Sequence, residues 1–423
     1  MCIEVKEIMN QLSIGSDRFL TRGPRLWDSL MEIARIGAIE GDGCCRLSLS
    51  DEDRQARDLF ASWAREAGCE MRVDPFGNMY AIRAGRKPDL PVVLMGSHLD
   101  TQPHGGRFDG VLGVLAGLEV IRSLNDHGIE TEHSVALANW TNEEGVRFKP
   151  GLTGSKGFIG ALRVGDSSIS GLDGADYFGE LTRIGYSGTD TAPDLLGYLE
   201  LHIEQGTILE AAGVPVGVVS GIQGVRWFEI EIHGFDAHAG TTAMQTRSDS
   251  FMAAAELAIS LREIALRLSP DVRLTVGRVE VVPNSQNTVP GRTLLGVDLR
   301  HQDGAVLDAF EAAAEEAVSL VASNTRCGAS IRRTMDVQPV RFNAEVVAAL
   351  DAAVNDLKIP TMTLPSGAMH DASSIALHTP SAMIFVQSRD GISHNPAEWS
   401  EPDHVAMGCE LLARAVLALA KSR

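Results

Sequence analysis

Hydrophobic residues occur along the chain either in short continuous runs or at helical spacing, and these two patterns distinguish buried strands from helices. Continuous apolar runs predict four buried strands, at 92–95, 134–140, 198–203 and 381–387. Apolar residues at helical spacing predict helices over 26–36, 50–67, about 110–126, 343–357 and a closing helix to 419. A hairpin is predicted over 71–83, around Phe76-Gly77-Asn78. This alternation predicts an α/β domain with a central sheet.

The pattern changes near residue 215, where alternating strands replace continuous apolar runs. Six elements follow one another in the order βαββαβ, which is the ferredoxin-like arrangement; they are predicted at 227–233, 248–268, 273–282, 292–300, 303–322 and 330–340. We therefore predict an inserted α+β domain over 214–332. The α/β pattern resumes after it, so the first domain is expected to be discontinuous, formed by 1–213 and 333–423.

Bulk composition narrows the class of protein. The chain has 423 residues, which suggests two or three domains, and 44% hydrophobic with 22% charged residues is typical of a globular protein. A net charge of −19 argues against nucleic acid or an anionic membrane as a partner. Apolar runs are too short for a membrane span, and no secretion signal is expected at the start. Six scattered cysteines without a CxxC pair favour a reduced, cytoplasmic setting.

The stretch VVLMGSHLDTQPHGGRFDGVLG, residues 92–113, carries the first candidate chemistry. A buried strand leads to His98 and Asp100, and Asp109 follows at the predicted start of a helix. Imidazole and carboxylate groups suit Zn, Mn, Co or Ni, and Asp100 could hold the second ring nitrogen of His98. The alternative is that His98 caps a strand and Asp109 caps a helix.

Three more polar loops follow predicted strands and carry Glu143 with Glu144, His202 and His394. Loops at the carboxyl ends of strands form the ligand crevice of an open α/β sheet. Together with the first loop they offer enough ligands for two metal ions, with a carboxylate, Asp109, as the candidate bridge. If the chain is extended at the glutamate pair, one side chain can bind metal while the other acts as a base. The alternatives are a solvated loop for the glutamate pair and an ordinary strand-end histidine for His202.

Seven motifs in this chain resemble a known family. They occur in the right order between about residues 50 and 410: GSHLDTQPHGGRFDG, TNEEGVRF, ELHIEQG, HAGTT, PNSQNTVP, LPSGAMHDA and GISHNPAEW. They are similar to the M20 metallopeptidase-like amidohydrolases, and more closely to the hydantoinase/carbamoylase branch. That branch contains N-carbamoyl-L-amino-acid hydrolases, allantoate amidohydrolases and β-ureidopropionases. The resemblance implies a metallopeptidase-like catalytic domain and a ferredoxin-like dimerisation or lid domain.

The resemblance also implies a binuclear centre. One ion would be bound by His98, Asp109 and His202, and the other by Asp109, Glu144 and His394. Glu143 would be the general base, and Asp100 is counted with it among the catalytic residues. Peptidase members use a carboxylate where His202 stands, so His202 favours the amidohydrolase branch.

Further implied roles concern the substrate. His238 in the inserted domain resembles a histidine that contacts the oxyanion across a homodimer. Asn287 and Arg300 resemble residues that bind the substrate carboxylate, and Gln205 joins them. An arginine can meet a carboxylate through two parallel hydrogen bonds. The alternatives are a turn residue for Asn287 and a surface salt bridge for Arg300.

His370 in the SGAMHDA segment resembles another substrate-site residue. Family members often carry a small residue where Met369 stands, so the resemblance does not carry the pocket shape over to this chain. The implied activity is metal-dependent hydrolysis of N-carbamoyl-L-amino acids, a small-molecule ureido acid class, to L-amino acid, ammonia and carbon dioxide. A ureido carbonyl is a poor electrophile, which fits a need for metal ions and an activated water.

Other activities remain open at this stage. Allantoate amidohydrolase or β-ureidopropionase activity suits the motifs about as well. A peptidase or aminoacylase of the same superfamily is opposed by His202. A binding protein without catalysis is opposed by the presence of Glu143 with five ligands. The sequence leaves the side chain of the substrate and the cellular metal undefined.

Overall fold

The computed structural model describes residues 20–421, which form two compact units: 20–220 together with 342–421, and 221–341. Eleven helices of α type lie in the described range: α1 Gly23–Ile33, α2 Asp51–Glu66, α3 Val111–Asp126, α4 Thr153–Phe158, α5 Tyr177–Ile184, α6 Ile208–Ala212, α7 Ser250–Leu268, α8 Gly304–Thr325, α9 Ala344–Leu357, α10 Asp371–Ile375 and α11 Pro402–Ala420. Short 3₁₀ turns occur at Met244–Thr246 and Arg389–Gly391.

Nineteen strands accompany these helices over the described residues. They are β1 Ala38–Ile39, β2 Gly43–Cys44, β3 Glu70–Val73, β4 Met79–Arg83, β5 Val92–His98, β6 Val135–Trp140, β7 Phe148–Lys149, β8 Ser170–Gly171, β9 Leu195–Ile203, β10 Val216–Ile222, β11 Gly224–His233, β12 Ala237–His238, β13 Arg273–Val282, β14 Thr288–Val289, β15 Arg292–His301, β16 Gly328–Val337, β17 Val340–Arg341, β18 Thr361–Ser366 and β19 Ser381–Val386. Every strand and helix predicted from periodicity is present, with ends shifted by a few residues.

A mixed sheet forms the centre of the first unit. Its strands lie in the order β3-β4-β6-β5-β9-β19-β10, and β18 also pairs with β10. The four central strands, β6, β5, β9 and β19, run parallel, whereas β3, β4 and β10 are antiparallel to their neighbours. All residues of β5, β6 and β19 are buried, as expected for parallel strands covered on both faces. The predicted α/β fold with a central sheet is therefore confirmed.

Two local predictions in this unit can be checked directly. Ser50 caps α2 as predicted, since its hydroxyl accepts a hydrogen bond from the backbone N–H of Asp53. The strand predicted over 92–95 instead continues to His98, with Gly96 opposite Ala138 of β6. This extension is important because it places His98 on the sheet itself, as the last residue of β5.

The second unit has the predicted βαββαβ order. Its sheet runs β13-β15-β11-β16 with antiparallel neighbours throughout. Helices α7 and α8 pack on one face, where the inward residues of β11 meet the core leucines of α7 and Phe310 of α8. The other face carries charged side chains and Trp227.

The limits of this unit differ from the predicted 214–332. Its first residue is Gly221 and its last is Arg341. A boundary after 332 would cut β16, whose ladder with β11 continues to Val337. The start differs because β10, missed in the sequence, pairs with β19 of the first unit through residues 216–219.

Two further properties concern membrane-spanning helices and the state of the cysteines. None of the helices between residues 20 and 421 is long and apolar enough to cross a membrane. The cysteines in that range, Cys44, Cys45, Cys69, Cys327 and Cys409, are all free thiols.

Candidate metal centre and active site

The four central parallel strands each deliver one polar segment to the same edge of the sheet. His98 ends β5, and His202 lies at the carboxyl end of β9. Glu143 and Glu144 follow β6, and His394 follows β19. Because these strands are neighbours and parallel, side chains distant in sequence meet in one crevice.

Asp109 lies at the centre of this crevice and is buried. Its Oδ1 atom is 3.2 Å from Nε2 of His202 and 3.7 Å from Nε2 of His98. Its Oδ2 atom is 3.4 Å from Nε2 of His394, whose Nε2 is also 3.6 Å from Oε2 of Glu144. One carboxylate therefore faces two sets of ligands, one through each oxygen.

The two buried histidines of the first set are oriented by backbone carbonyl groups. Nδ1 of His98 lies 2.8 Å from the carbonyl oxygen of Asp100, and Nδ1 of His202 lies 2.9 Å from that of Ile203. A carbonyl oxygen accepts hydrogen bonds, so each Nδ1 carries a proton and each Nε2 is the ring nitrogen that faces Asp109. An imidazole with its proton on Nδ1 can bind a metal ion through Nε2 once that nitrogen is deprotonated.

The chain turns sharply at Gly110 to place Asp109. Gly110 has φ +68° and ψ −49°, and the N–H of Val111 donates to the carbonyl oxygen of Asp109 at 2.7 Å, which defines a strained γ-turn. A Cβ atom at Gly110 would lie 2.3 Å from the ring of His98. Only glycine allows both the turn and the close approach of the histidine ring.

The role predicted for the Asp100 side chain was wrong. It was expected to hold His98, but the backbone carbonyl does so, and the carboxylate oxygen lies 3.9 Å from Nδ1. The carboxylate instead accepts the backbone N–H groups of Glu143 and Glu144, each at 3.3 Å. These two donors offset part of the cost of burial, which still raises the pKa of Asp100 to about 7, and they show that Asp100 orients the glutamate pair rather than the histidine.

The two glutamates point in different directions although the chain there is bent rather than extended. Residues 141–144 form a bend with Asn142 at φ +58°. Oε2 of Glu143 lies 3.6 Å from Nε2 of His98, whereas Oε2 of Glu144 faces His394 and accepts from Nε2 of Gln102 at 2.7 Å. Glu143 therefore lies beside the first ligand set, and Glu144 lies within the second.

The pKa values reflect this crowding of buried charges. Burial, followed by the charges of Asp371 and Glu144, raises the pKa of Glu143 well above its usual range. Burial and the charge of Asp109 raise the pKa of Glu144 to about 8. Burial lowers the pKa of His98 to about 4. Burial also lowers the pKa of His202, but the hydrogen bond and charge of Asp109 outweigh it and raise the value to about 9.

These residues fit divalent metal ions. Each of two groups brings its candidate ligand atoms within 4.8 Å of one another: His98, Asp109 and His202 in one, and Asp109, Glu144 and His394 in the other. Oε1 of Glu144 is buried without a hydrogen-bond partner among the described residues, and an ion would supply one. Imidazole nitrogens with carboxylate oxygens form a donor set for Zn, Mn, Co or Ni.

A third group of potential ligands, Glu200 with His202 and His370, is less suited to a metal ion. The carboxylate of Glu200 already accepts hydrogen bonds from Ser97, Tyr198 and the N–H of Ala372. Because most acceptor positions of Glu200 are already used, its role is to hold these neighbouring residues in place and not to bind an ion.

Two residues predicted for the substrate lie beside the centre in the first unit. Nε2 of Gln205 donates to Oδ2 of Asp109 at 2.7 Å, which makes Gln205 a support for Asp109 in this structure. The ring of His370 packs 4.4 Å from that of His202, and its Nε2 lies 3.0 Å from Oγ of Ser366. Burial lowers the pKa of His370 well below its usual range, so this ring is neutral.

The remaining predicted residues lie in the second unit. His238 and Asn287 are neighbours there, because β12 pairs with β14 and the carbonyl oxygen of Asn287 accepts the N–H of Ala239 at 2.9 Å. Arg300 lies on the open face of the sheet, where its guanidinium donates twice to the carboxylate of Asp298, each time at 2.9 Å. The salt bridge considered for Arg300 therefore exists.

His238 is exposed and has a defined tautomer. Its Nδ1 accepts the backbone N–H groups of Gly240 and Thr241 at 3.1 and 3.3 Å. The proton of the neutral ring must then sit on Nε2, where it is available to an acceptor outside the loop.

Sequence reasoning missed two carboxylates of the centre, Glu398 and Asp371. Glu398 contacts the backbone at Asp109, and Asp371 is fully buried and, after burial itself, contributes to the raised pKa of Glu143. Both stand within motifs already noted, GISHNPAEW and SGAMHDA. Both residues could have been found in the sequence, because each is an acidic residue in a loop that also carries a candidate site histidine.

Four parallel strands that bring two histidine–carboxylate sets to one aspartate define a candidate metal-dependent hydrolase. Comparison supports this class, because the family described as Peptidase family M20/M25/M40 matches residues 94–418. The chain belongs to that family.

Individual relatives identify the branch of the family to which the chain is most similar. An N-carbamoyl-L-amino-acid amidohydrolase of Rhizobium meliloti is 41% identical over 94% of this chain and 96% of the relative. An allantoate amidohydrolase of Escherichia coli is 35% identical over 93% of this chain and 97% of the relative. A solved structure of a hydantoinase/carbamoylase family amidase from Burkholderia multivorans is similar, with a TM-score of 0.92 and 44% identity over 95% of this chain and 98% of that one. The predicted family and branch are confirmed.

Proposed function

We propose that this protein hydrolyses the ureido C–N bond of N-carbamoyl-L-amino acids, giving the L-amino acid, ammonia and carbon dioxide. The observation that carries the proposal is the placement of Asp109 between two histidine-containing ligand sets, with Glu143 beside them. The similarity to N-carbamoyl-L-amino-acid amidohydrolases supports the substrate class.

Two divalent ions would be held in this centre, one by His98, Asp109 and His202 and the other by Asp109, Glu144 and His394. When bound, such ions would polarise the ureido carbonyl and lower the pKa of the attacking water. The protein contributes fixed orientation, because the backbone carbonyls behind His98 and His202 hold both rings with Nε2 toward the site.

Glu143 is the proposed general base. Its carboxylate lies on the side of the crevice nearest His98, and its backbone is anchored by Asp100. It would take a proton from the attacking water and pass it to the leaving nitrogen. Burial raises the pKa of Glu143 above its usual range, and the charge of bound metal ions would oppose this rise and keep the carboxylate ionised, as a base must be.

Arg300 and Asn287 are the proposed ligands of the substrate carboxylate, and Gln205 and His370 are proposed as further substrate-binding residues. A guanidinium group suits a carboxylate partner, and the two hydrogen bonds from Arg300 to Asp298 hold the guanidinium plane in a fixed orientation. This assignment makes a carboxylate close to the ureido group a requirement for good substrates.

His238 would stabilise the oxyanion that develops on the carbonyl oxygen. The two N–H groups that Nδ1 accepts leave Nε2–H as the donor for this task. We further propose a homodimer in which His238 of one protomer serves the site of the other.

Exposed apolar residues of the second unit support a homodimer. They lie on α7, at Phe251, Met252, Ile259 and Leu266, and on β13, at Val279 and Val282. Strand β13 is an edge strand, and edge strands can pair with a second copy.

We also propose a cytoplasmic location for the enzyme. The cysteines of the described residues are free thiols, as expected for a protein in a reducing compartment.

Allantoate hydrolysis is the second candidate, since an allantoate amidohydrolase is among the relatives. Allantoate also carries ureido groups beside a carboxylate, so the same centre could act on it. Peptide hydrolysis is less suited, because the resemblance places His202 where peptidase members use a carboxylate. An assay of ammonia release with metal-loaded protein on both ureido substrates tests the proposal.

A further inference from the structure

The carboxylate of Glu398 forms an unusual support for the centre. It is almost fully buried, with 3% of the residue exposed. Its Oε1 atom accepts the backbone N–H groups of Phe108 at 2.9 Å and of Asp109 at 3.1 Å. Burying a carboxylate is costly unless it is well hydrogen-bonded, and here the donors come from the segment that carries the bridging aspartate.

A second contact connects Glu398 to the Asp109 side chain itself. Oγ of Ser393 lies 2.9 Å from Oε2 of Glu398 and 2.8 Å from Oδ2 of Asp109. The single hydroxyl hydrogen can be donated to only one of these carboxylates at a time, so Glu398 contacts Asp109 directly at its backbone nitrogen and shares Ser393 with the Asp109 side chain.

The loop before Asp109 leaves room for this glutamate. A Cβ atom at Gly106 would lie 2.1 Å from Oε1 of Glu398, so a larger residue there would displace the carboxylate. Residues 106–109 and 393–398 thus fit together as one structure although about 290 positions separate them in sequence.

We propose that Glu398 is a positioning residue that sets the bridging carboxylate of Asp109 for both metal ions. The proposal rests on the proposed metal centre. Glu398 itself faces backbone and Ser393 rather than the ligand atoms of the histidines, so it acts through Asp109. Partners behind a metal ligand typically contribute about 10- to 100-fold to metal affinity.

Geometry distinguishes this role from a purely electrostatic one. In Glu398→Gln the amide oxygen can still accept the two backbone N–H groups, and the amide nitrogen can donate to Oγ of Ser393. The hydroxyl hydrogen of Ser393 is then available to Asp109. Glu398→Gln should keep the arrangement, whereas Glu398→Ala removes every contact.

The experiment measures metal binding rather than turnover. Wild type and variants are stripped of metal, and the affinity for Zn²⁺ and the bound ions per chain are determined by competition with a chromophoric chelator and by elemental analysis. We expect Glu398→Ala to bind Zn²⁺ about 10- to 100-fold more weakly, and Glu398→Gln to stay within about threefold of wild type.

Glu410→Ala is the matched control. Glu410 is also fully buried and accepts a backbone N–H and a hydroxyl group, both from Thr21; it pairs in addition with Arg414 and contacts no candidate ligand. Unchanged affinity in Glu398→Ala would overturn the proposal. Equal losses in Glu398→Ala and Glu398→Gln would also overturn it, as would an equal loss in Glu410→Ala.

If Glu398→Ala does not fold, Ser393→Ala tests the same link, because it removes only the hydroxyl group between Glu398 and Asp109. It should weaken Zn²⁺ binding about 10-fold, and unchanged affinity would refute the role. Failure of the metal centre itself is distinguishable, because wild-type protein would then bind no stoichiometric Zn²⁺.

Discussion

The Oδ1 atom of Asp109 lies 3.2 Å from Nε2 of His202, a contact between a helix-start loop and the end of a buried parallel strand. The other oxygen of the same carboxylate faces His394 at 3.4 Å. Asp109 is therefore the one side chain common to both candidate ligand sets, and its removal should affect both.

Substitution of the ligands should separate the two metal positions. Asp109→Ala should lose both ions because a bridging ligand serves both, whereas His394→Ala should chiefly empty one. Elemental analysis after dialysis against Zn²⁺ or Mn²⁺ measures this. His127→Ala, an exposed histidine that contacts the carbonyl oxygen of Leu20, is the control and should bind like wild type. Two retained ions in Asp109→Ala would contradict the bridging role.

Loss of the proposed base should affect turnover and not metal binding. Glu143→Gln is similar in size but cannot accept the proton, so kcat should fall about 10²- to 10⁴-fold. Its ion content should stay at the wild-type level. Glu144→Gln provides the comparison, since it should lose metal affinity as well. A kcat within a few-fold of wild type would show that Glu143 is not the base.

The turn at Gly110 should be intolerant of any side chain. Gly110→Ala places a methyl group against the ring of His98 and forces an alanine into a strained conformation, which costs about 1–3 kcal/mol. We expect a lower melting temperature and a loss of metal affinity. Gly128→Ala also has a positive φ, of 58°, but meets no atom within 4 Å. It should lose some stability and keep its metal affinity; equal metal binding in both variants would argue against the turn's role.

Much of the architecture was predictable because the central strands are continuous apolar runs. The strand before His98 and the strand before Glu143 are both buried along their whole length, so their periodicity is unambiguous. The order βαββαβ of the second unit was equally clear. Strand β10 was missed because it begins within a glycine- and valine-rich stretch that continues into β11 without a strong turn signal.

The candidate ligands were predictable as residue types at strand ends, but their supports were not. Glu398 acts on backbone N–H groups about 290 positions earlier, and no local pattern reports such a partner. The orientation of Asp100 was mispredicted for a similar reason. A carboxylate two residues from a histidine can turn toward it, but the unpaired N–H groups after β6 offered better donors.

Subunit exchange tests the assignment of His238. The inactive variants His238→Ala and Glu143→Gln are mixed under conditions that allow exchange. If His238 acts in trans, the mixed dimer regains one good site, since the chain with intact Glu143 receives His238 from its partner. If His238 acts within its own chain, both sites stay damaged. We expect recovery above both parents; separately incubated parents are the control, and no recovery would refute trans action.

The substrate is the central claim, and one assay tests it most directly. Metal-loaded protein is given N-carbamoyl-L-amino acids, their D-enantiomers, N-carbamoyl-β-alanine, allantoate and decarboxylated ureido analogues, and ammonia release is measured with and without a chelator. The account predicts the highest kcat/KM for N-carbamoyl-L-amino acids, little turnover of D-enantiomers or decarboxylated analogues, and loss of activity on chelation. Preferred turnover of allantoate, equal turnover of the decarboxylated analogues, or full activity in metal-free protein would contradict it.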